Sequence, residues 1–275
     1  MSAKPNFNLT SDTTRRTSNN IWAGCPIKEL ESGEFNGVYF RDDFNKIPVL
    51  VTPTITTQAN YGGGWKAFGS SGGTLVSGGG AEGGTIVGTE TDDNEGFSFA
   101  TISLPFKIIR TYGNFWFEAR LKVGTITDND SGFFVGLVEQ QTLSATVPIA
   151  AAGTLADANF VGFHRLEGDG DQMDTVYKAN GVTQVSAADQ LGTALVADTY
   201  TKIGMKYSSV DYSFKFYQNN LELATTYTIP SAAGTDFPND VFMGIVFALL
   251  CGSANDSILT VDWVQAAQCY DVNNN

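Results

Sequence analysis

One glycine-bent turn, Glu167-Gly168-Asp169-Gly170-Asp171-Gln172-Met173-Asp174, holds the densest chemistry in this 275-residue chain. Closely spaced carboxylates are hard oxygen ligands, and a loop bent by glycine can fold them around a calcium ion. Asp169, Asp171 and Asp174 are the candidate calcium ligands. The spacing departs from the EF-hand loop, and no glutamate stands where that loop places its bidentate ligand. Asp and Gly are also what hairpin turns are made of. On that plainer reading the turn holds no metal, and no other cofactor is expected.

The only histidine, His164, precedes this turn in Phe160-Val161-Gly162-Phe163-His164-Arg165-Leu166. Serine-type catalysis needs a histidine oriented by an acid and next to a nucleophile. No Gly-x-Ser-x-Gly accompanies it, so a strand histidine with a local hydrogen-bond partner is expected. One histidine and three scattered cysteines, Cys25, Cys251 and Cys269, make no zinc pattern. The runs Gly62-Gly63-Gly64 and Gly78-Gly79-Gly80 lack the Gly-Lys-Ser/Thr of a phosphate loop and read as hairpin tips. Tyr61, Trp65 and Phe68 around them suit either a sugar-stacking shelf or strand core, and core is the expectation. No catalytic or cofactor-binding residue is assigned.

The elements that must position these groups are strands. Asn114–Val123 alternates with period two, with Phe115, Phe117, Ala119, Leu121 and Val123 on one side. Trp116, Glu118, Arg120 and Lys122 take the other side. A polar turn, Asp128–Gly132, leads into Phe133–Val138, which completes a hairpin. Similar runs recur to the C-terminus, and Gln218-Asn219-Asn220 joins Tyr212–Phe216 to Leu221–Leu223. Helical turns are expected only over Gln141–Val147 and Val185–Leu191. Residues 140–158 form the longest irregular connection, and a loop that long is usually functional or sits at a contact. Phe117, Leu121, Phe214, Phe216, Ile245 and Trp263 are the predicted core.

Sixteen basic and twenty-nine acidic residues give a formal net charge of −13. Such a surface repels nucleic acid and anionic lipid. The longest apolar run, Val241–Cys251, is too short to span a bilayer as a helix and reads as a covered strand. Met1–Phe7 shows no apolar h-region, so no secretory signal is expected, and the odd cysteine count suits free thiols in a reducing cytosol. Residues 1–37 are polar and aperiodic, with Lys4, Arg15, Arg16 and Lys28 against Asp12 through residue 28. Ordering such an arm costs about 1–2 kcal/mol per residue of backbone entropy, which contacts must offset. Arg15, Arg16, Trp22 and Ile27 are the expected contact residues, on a neighbouring subunit or partner. Loss of the arm is expected to leave the body folded.

Four segments together resemble the concanavalin A-like, laminin-G-like jelly roll. They are Val38–Phe44, Gly113–Lys122, the hairpin Tyr212–Leu221 and the closing Ile258–Gln265. The resemblance implies an all-β, two-sheet antiparallel jelly-roll sandwich over residues 38–266. An extended N-terminal arm (1–37) precedes it and a C-terminal tail (267–275) follows. An acidic sandwich with a polar arm and no signal is similar to head decoration (cement) proteins of tailed phages. That likeness implies a non-enzymatic virion protein on the capsid surface, made in the host cytoplasm. Its partner would be the major capsid protein, and it would assemble as a homo-oligomer, a trimer by analogy. The alternative is a glycan-binding, lectin-like module on a tail or surface appendage, for which lectin members carry calcium beside the sugar. A third reading, a β-glucanase-like glycosidase, requires Glu-x-Asp-x-(x-)Glu on one strand face. Here Glu118 is followed at the same-face positions by Arg120 and Lys122.

Overall fold

The computed structural model describes residues 14–45, 59–69, 73–78, 84–139, 148–150, 154–169, 172–253 and 257–271. In chain order the arm supplies α1 (Asn19–Trp22) and α2 (Ile27–Ser32). The strands begin with β1 (Gly37–Asp42), β2 (Ala59–Tyr61), β3 (Trp65–Gly69), β4 (Thr74–Gly78), β5 (Thr85–Glu90) and β6 (Gly96–Thr101). They continue with β7 (Phe115–Val123), β8 (Ser131–Val138), β9 (Ile149–Ala150), β10 (Thr154–Leu155), β11 (Phe160–Arg165) and β12 (Asp174–Lys178). β13 (Val185–Ala187), β14 (Thr201–Ser208), β15 (Ser213–Gln218), β16 (Leu221–Thr228), β17 (Gly244–Cys251) and β18 (Ser257–Cys269) complete the series. Among the described residues about 50% are strand and 6% helix.

The strands build two antiparallel sheets. The first has the order β16-β15-β14-β7-β18-β5-β4, with β1 also paired to β18; the second runs β13-β12-β11-β8-β17-β6-β3-β2. β18 is long enough to hold β5 along Ser257–Val261 and β1 along Val264–Cys269. That ladder begins at Gly37↔Cys269, so the sandwich runs past the expected limit at residue 266. Val185–Ala187, read from sequence as a helical turn, is an edge strand on β12. Gln141–Val147 lies outside the described residues.

The period-two pattern of β7 holds. Phe115, Phe117, Ala119, Leu121 and Val123 join the core between the sheets. The same inner face continues on β14 (Ile203, Met205, Tyr207) and β15 (Phe214, Phe216), and β17 (Ile245, Phe247, Leu249) faces it from the second sheet. Trp65 belongs to this core too, stacked on Phe99 at 4.4 Å with its indole N–H donated to Asp42 at 2.7 Å.

Each sheet is also covered on its outer face, which explains why alternation is blurred elsewhere. On the second sheet, Phe134, Phe160, Val176, Val246, Ala248 and Leu250 form a separate apolar cluster with Ile149 of β9. Gly136 and Gly162 are cross-strand partners beneath it. A Cβ at either would approach the Phe134 ring to 3.1 or 2.9 Å, and the facing backbone more closely still. Only glycine leaves room for that ring on the sheet.

The arm covers the first sheet. Ile21 and Leu30 are buried against Trp116, Tyr217, Ala267 and Cys269. Gly204 of β14 makes the socket, since a Cβ there would stand 2.4 Å from Ile21 Cδ1. α1 and α2 escaped sequence reading because one-turn helices are too short to display a 3.6-residue period. Without the arm, Trp116, Ala267 and Cys269 would face water. Arm and body are therefore one packed unit, contrary to the expectation that the body is indifferent to losing it.

Candidate metal centre

β11 brings His164 to the end of the second sheet, on the same outer face as Phe160 and Gly162. Asp174, the first residue of β12, is its cross-strand partner, so the two side chains stand side by side. The turn between the strands folds Asp169 back over them. Ligand atoms of His164, Asp169 and Asp174 all lie within 4.8 Å of one another. Asp169 is fixed by accepting the Leu166 N–H at 2.8 Å, and Asp174 by accepting the Asp189 N–H at 2.9 Å.

The imidazole is 1% exposed, and burial pushes its pKa down to about 4. It is therefore neutral at ordinary pH and keeps a lone pair for coordination. Its Nδ1 is buried without a hydrogen-bond partner, and so are Gln172 Oε1 and Glu167 Oε1 from the same turn. Among the described residues, no hydrogen-bond partner of the kind expected for His164 reaches this nitrogen. A buried polar atom left unpaired costs about 1–3 kcal/mol, and a bound cation would remove that cost. Burial, then the nearby carboxylates of Asp169 and Asp189, raise the proton affinity of Asp174. Burial and Asp93 do the same for Glu167. Each of these strains is relieved by positive charge.

Of the three calcium ligands expected from sequence, Asp169 and Asp174 do converge, while Asp171 lies outside the described residues. His164 takes part in the cluster, which changes the chemistry. Calcium takes oxygen ligands, whereas one imidazole with two carboxylates suits manganese, zinc or iron. The residues fit a divalent transition metal. Sequence reasoning had His164 and the turn in view but not the register that makes His164 and Asp174 neighbours.

The loops around this cluster are tied together. Asn129 N–H donates to Glu167 O at 2.6 Å, Gly252 N–H to Asp130 O at 2.8 Å, and Asn94 N–H to Cys251 O at 2.8 Å. Arg165, fully buried, holds the 126–131 loop through the carbonyls of Ile126, Thr127 and Ser131. Its side chain takes the place of backbone pairing in a loop that would otherwise leave buried acceptors. Asp92, Asp93, Asp128, Asp130, Glu167 and Asp169 consequently gather at one end of the sandwich.

No family model matches the chain, and no curated protein does. Solved structures do. Peanut lectin aligns at a TM-score of 0.53 with 12% identity, covering 85% of this chain and 97% of the lectin. The Emp47p carbohydrate recognition domain gives 0.51 and 16%, covering 79% and 93%. The chain has the lectin jelly-roll fold. The Crh5 transglycosylase in complex with NAG shares it at 0.52 and 14%, covering 86% of each chain. Identities this low establish the fold and no more.

The expected contact residues of the arm sit elsewhere, on the first sheet of the same chain. Arg15 pairs with Asp262 at 2.7 Å, and the Trp22 indole donates to Glu118 at 2.8 Å. Arg16 is exposed, its carbonyl accepting from Lys202 Nζ at 2.7 Å, and Ile27 is partly buried at the start of α2. Glu118, the one strand carboxylate considered for catalysis, is completely buried under the arm. It accepts from Ser18 N–H as well as Trp22. Burial raises its pKa, and the Ser18 and Trp22 bonds oppose the rise.

Proposed function

We propose that the protein is a lectin-like glycan-binding module whose ligand end is organised by a divalent metal at His164, Asp169 and Asp174. The carrying observation is the buried, neutral His164 with an unpartnered Nδ1 held against two carboxylates. The fold, shared with peanut lectin and the Emp47p carbohydrate recognition domain, supports the same reading. A metal there would fix the 166–174 turn and leave neighbouring backbone and carboxylate oxygens to accept sugar hydroxyls. The outer face of the second sheet is packed with Phe134, Phe160 and Leu250 under β9. On this sheet, ligand contact is thus left to the loops at the sandwich end, which suits a terminal sugar better than a long polysaccharide. The strand carboxylate that a β-glucanase-like reading would use, Glu118, is spent on the arm.

The capsid-decoration reading rested on an arm that reaches a neighbour. Residues 14–36 spend Arg15, Trp22 and Ile21 on their own sheet, which favours the lectin-like reading, while residues 1–13 lie outside the described residues.

Thermal unfolding with added ions tests the metal. A ligand at a hundred times its Kd stabilises by about 2.7 kcal/mol, which in a chain of this size raises Tm by roughly 5–10 °C. Manganese or zinc should produce such a shift in the native protein and none in His164→Ala. Stabilisation by calcium alone would restore the oxygen-only site, and no shift with any ion would remove the metal from the account.

A further inference from the structure

A cavity on the first sheet, away from the metal centre, calls for a ligand of different chemistry. It has a volume of about 380 Å³ and lies between the arm and the first sheet, lined by Arg15, Arg16, Thr17, Asn19, Arg41 and Trp263. That volume falls within the range of small-molecule sites. Three of six lining residues are arginine, in a chain whose net charge is −13.

A backbone irregularity builds this lining. The pairing of β18 with β7 shifts between Val261 and Trp263. Val261 and Val264 both remain in the core, so the extra residue lets Asp262 and Trp263 both turn outward, as bulges do. Asp262 holds Arg15 at the cavity wall and also accepts from Arg120 at 2.6 Å. Trp263 lines the cavity, is 5% exposed, and its buried indole N–H has no acceptor among the described residues. Arg16 and Arg41 are exposed around it. A further ammonium, that of the buried Lys202, is held at the Arg16 carbonyl.

Among the described residues the lining is rich in donors and carries no carboxylate. The two acidic groups that anchor the arm, Asp262 and Glu118, lie fully buried and already accept hydrogen bonds. Guanidinium forks and an unanswered indole N–H match the oxygens of a planar or tetrahedral anion. We propose that this cavity is an oxyanion site for a ligand of about one sugar's size bearing a carboxylate, sulfate or phosphate. It is independent of the metal centre, because it sits on the other sheet and shares no residue with it.

Calorimetric titration of the full chain with glucuronate, inorganic sulfate and inorganic phosphate, at constant ionic strength, tests the proposal. At least one anion should bind; a preference for glucuronate assigns a sugar acid, and equal binding of the inorganic ions assigns the bare oxyanion. Arg16→Ala with Arg41→Ala should weaken binding by about tenfold or more, the loss expected for one charge-assisted hydrogen bond. Both residues are exposed and neither holds the arm, so folding should be kept. Trp263→Phe keeps a ring but removes the N–H and should also weaken binding, while the exposed Lys28→Ala should not. Absence of binding by all three anions overturns the proposal. So does equal affinity in the double arginine variant, or an equal loss in Lys28→Ala, which would mean diffuse charge rather than a pocket.

Discussion

Asp262→Ala is expected to cost about 3–5 kcal/mol of stability, the usual result of removing one partner from a buried ion pair. The carboxylate is fully buried and accepts from Arg15 Nε at 2.8 Å and Arg120 Nη1 at 2.6 Å. Arg120 is itself largely buried and lies over the Tyr200 ring at 3.8 Å. Without Asp262, Arg120 keeps its charge on the sheet but loses this ion pair, and Arg15 loses its hold on the same carboxylate. Asp262→Asn keeps the shape and one acceptor, so its cost should be smaller. Denaturant unfolding measures both, and limited proteolysis between residues 15 and 36 should quicken in step. Unchanged stability with Asp262→Ala would show that the arm is held by its other contacts, Ile21, Leu30 and the bonds to Glu118.

Phe117→Ala should cost a similar amount, about 3–5 kcal/mol, for a different reason. The ring is completely buried in the middle of β7, beside Met205 of β14 and Ala266 of β18. Strands on both sides fix the backbone, so the space cannot close and the loss includes the cavity left behind. Lys122→Ala, on the outer face of the same strand, is the control and should change little. A midpoint for Phe117→Ala within error of the native protein would place the facing of β7 on the wrong side.

Much of this architecture was legible in the chain because period-two alternation and turn chemistry are local. β7, β8, the β15–β16 hairpin and the closing strand could each be read from a dozen residues. What stayed hidden depends on long-range placement. Trp263 was expected in the core and is buried instead on the outer face, because a bulge two strands deep in the sheet turned it around. Trp116 and Glu118 fall on the other side of β7 from its core residues, and the arm covers both. The arm's contacts with its own sheet stayed hidden for the same reason. Arg15 and Trp22 look like free contact residues until Asp262 and Glu118, far along the sequence, are seen beneath them. At the metal centre the turn itself announced Asp169 and Asp174. His164 gained its meaning only from the β11–β12 register, and a lone histidine on an apolar strand carries no local sign of that.

The central claim is metal-organised glycan binding, and the direct measurement is a glycan array probed with native protein and His164→Ala, with manganese and after chelation. The account predicts binding to a restricted set of terminal sugars by native protein with metal. That binding should vanish on chelation and in His164→Ala, while circular dichroism shows both proteins folded. Glycan binding that survives chelation and the substitution would contradict the role given to the cluster. No binding to any glycan by metal-loaded protein would contradict the lectin reading itself.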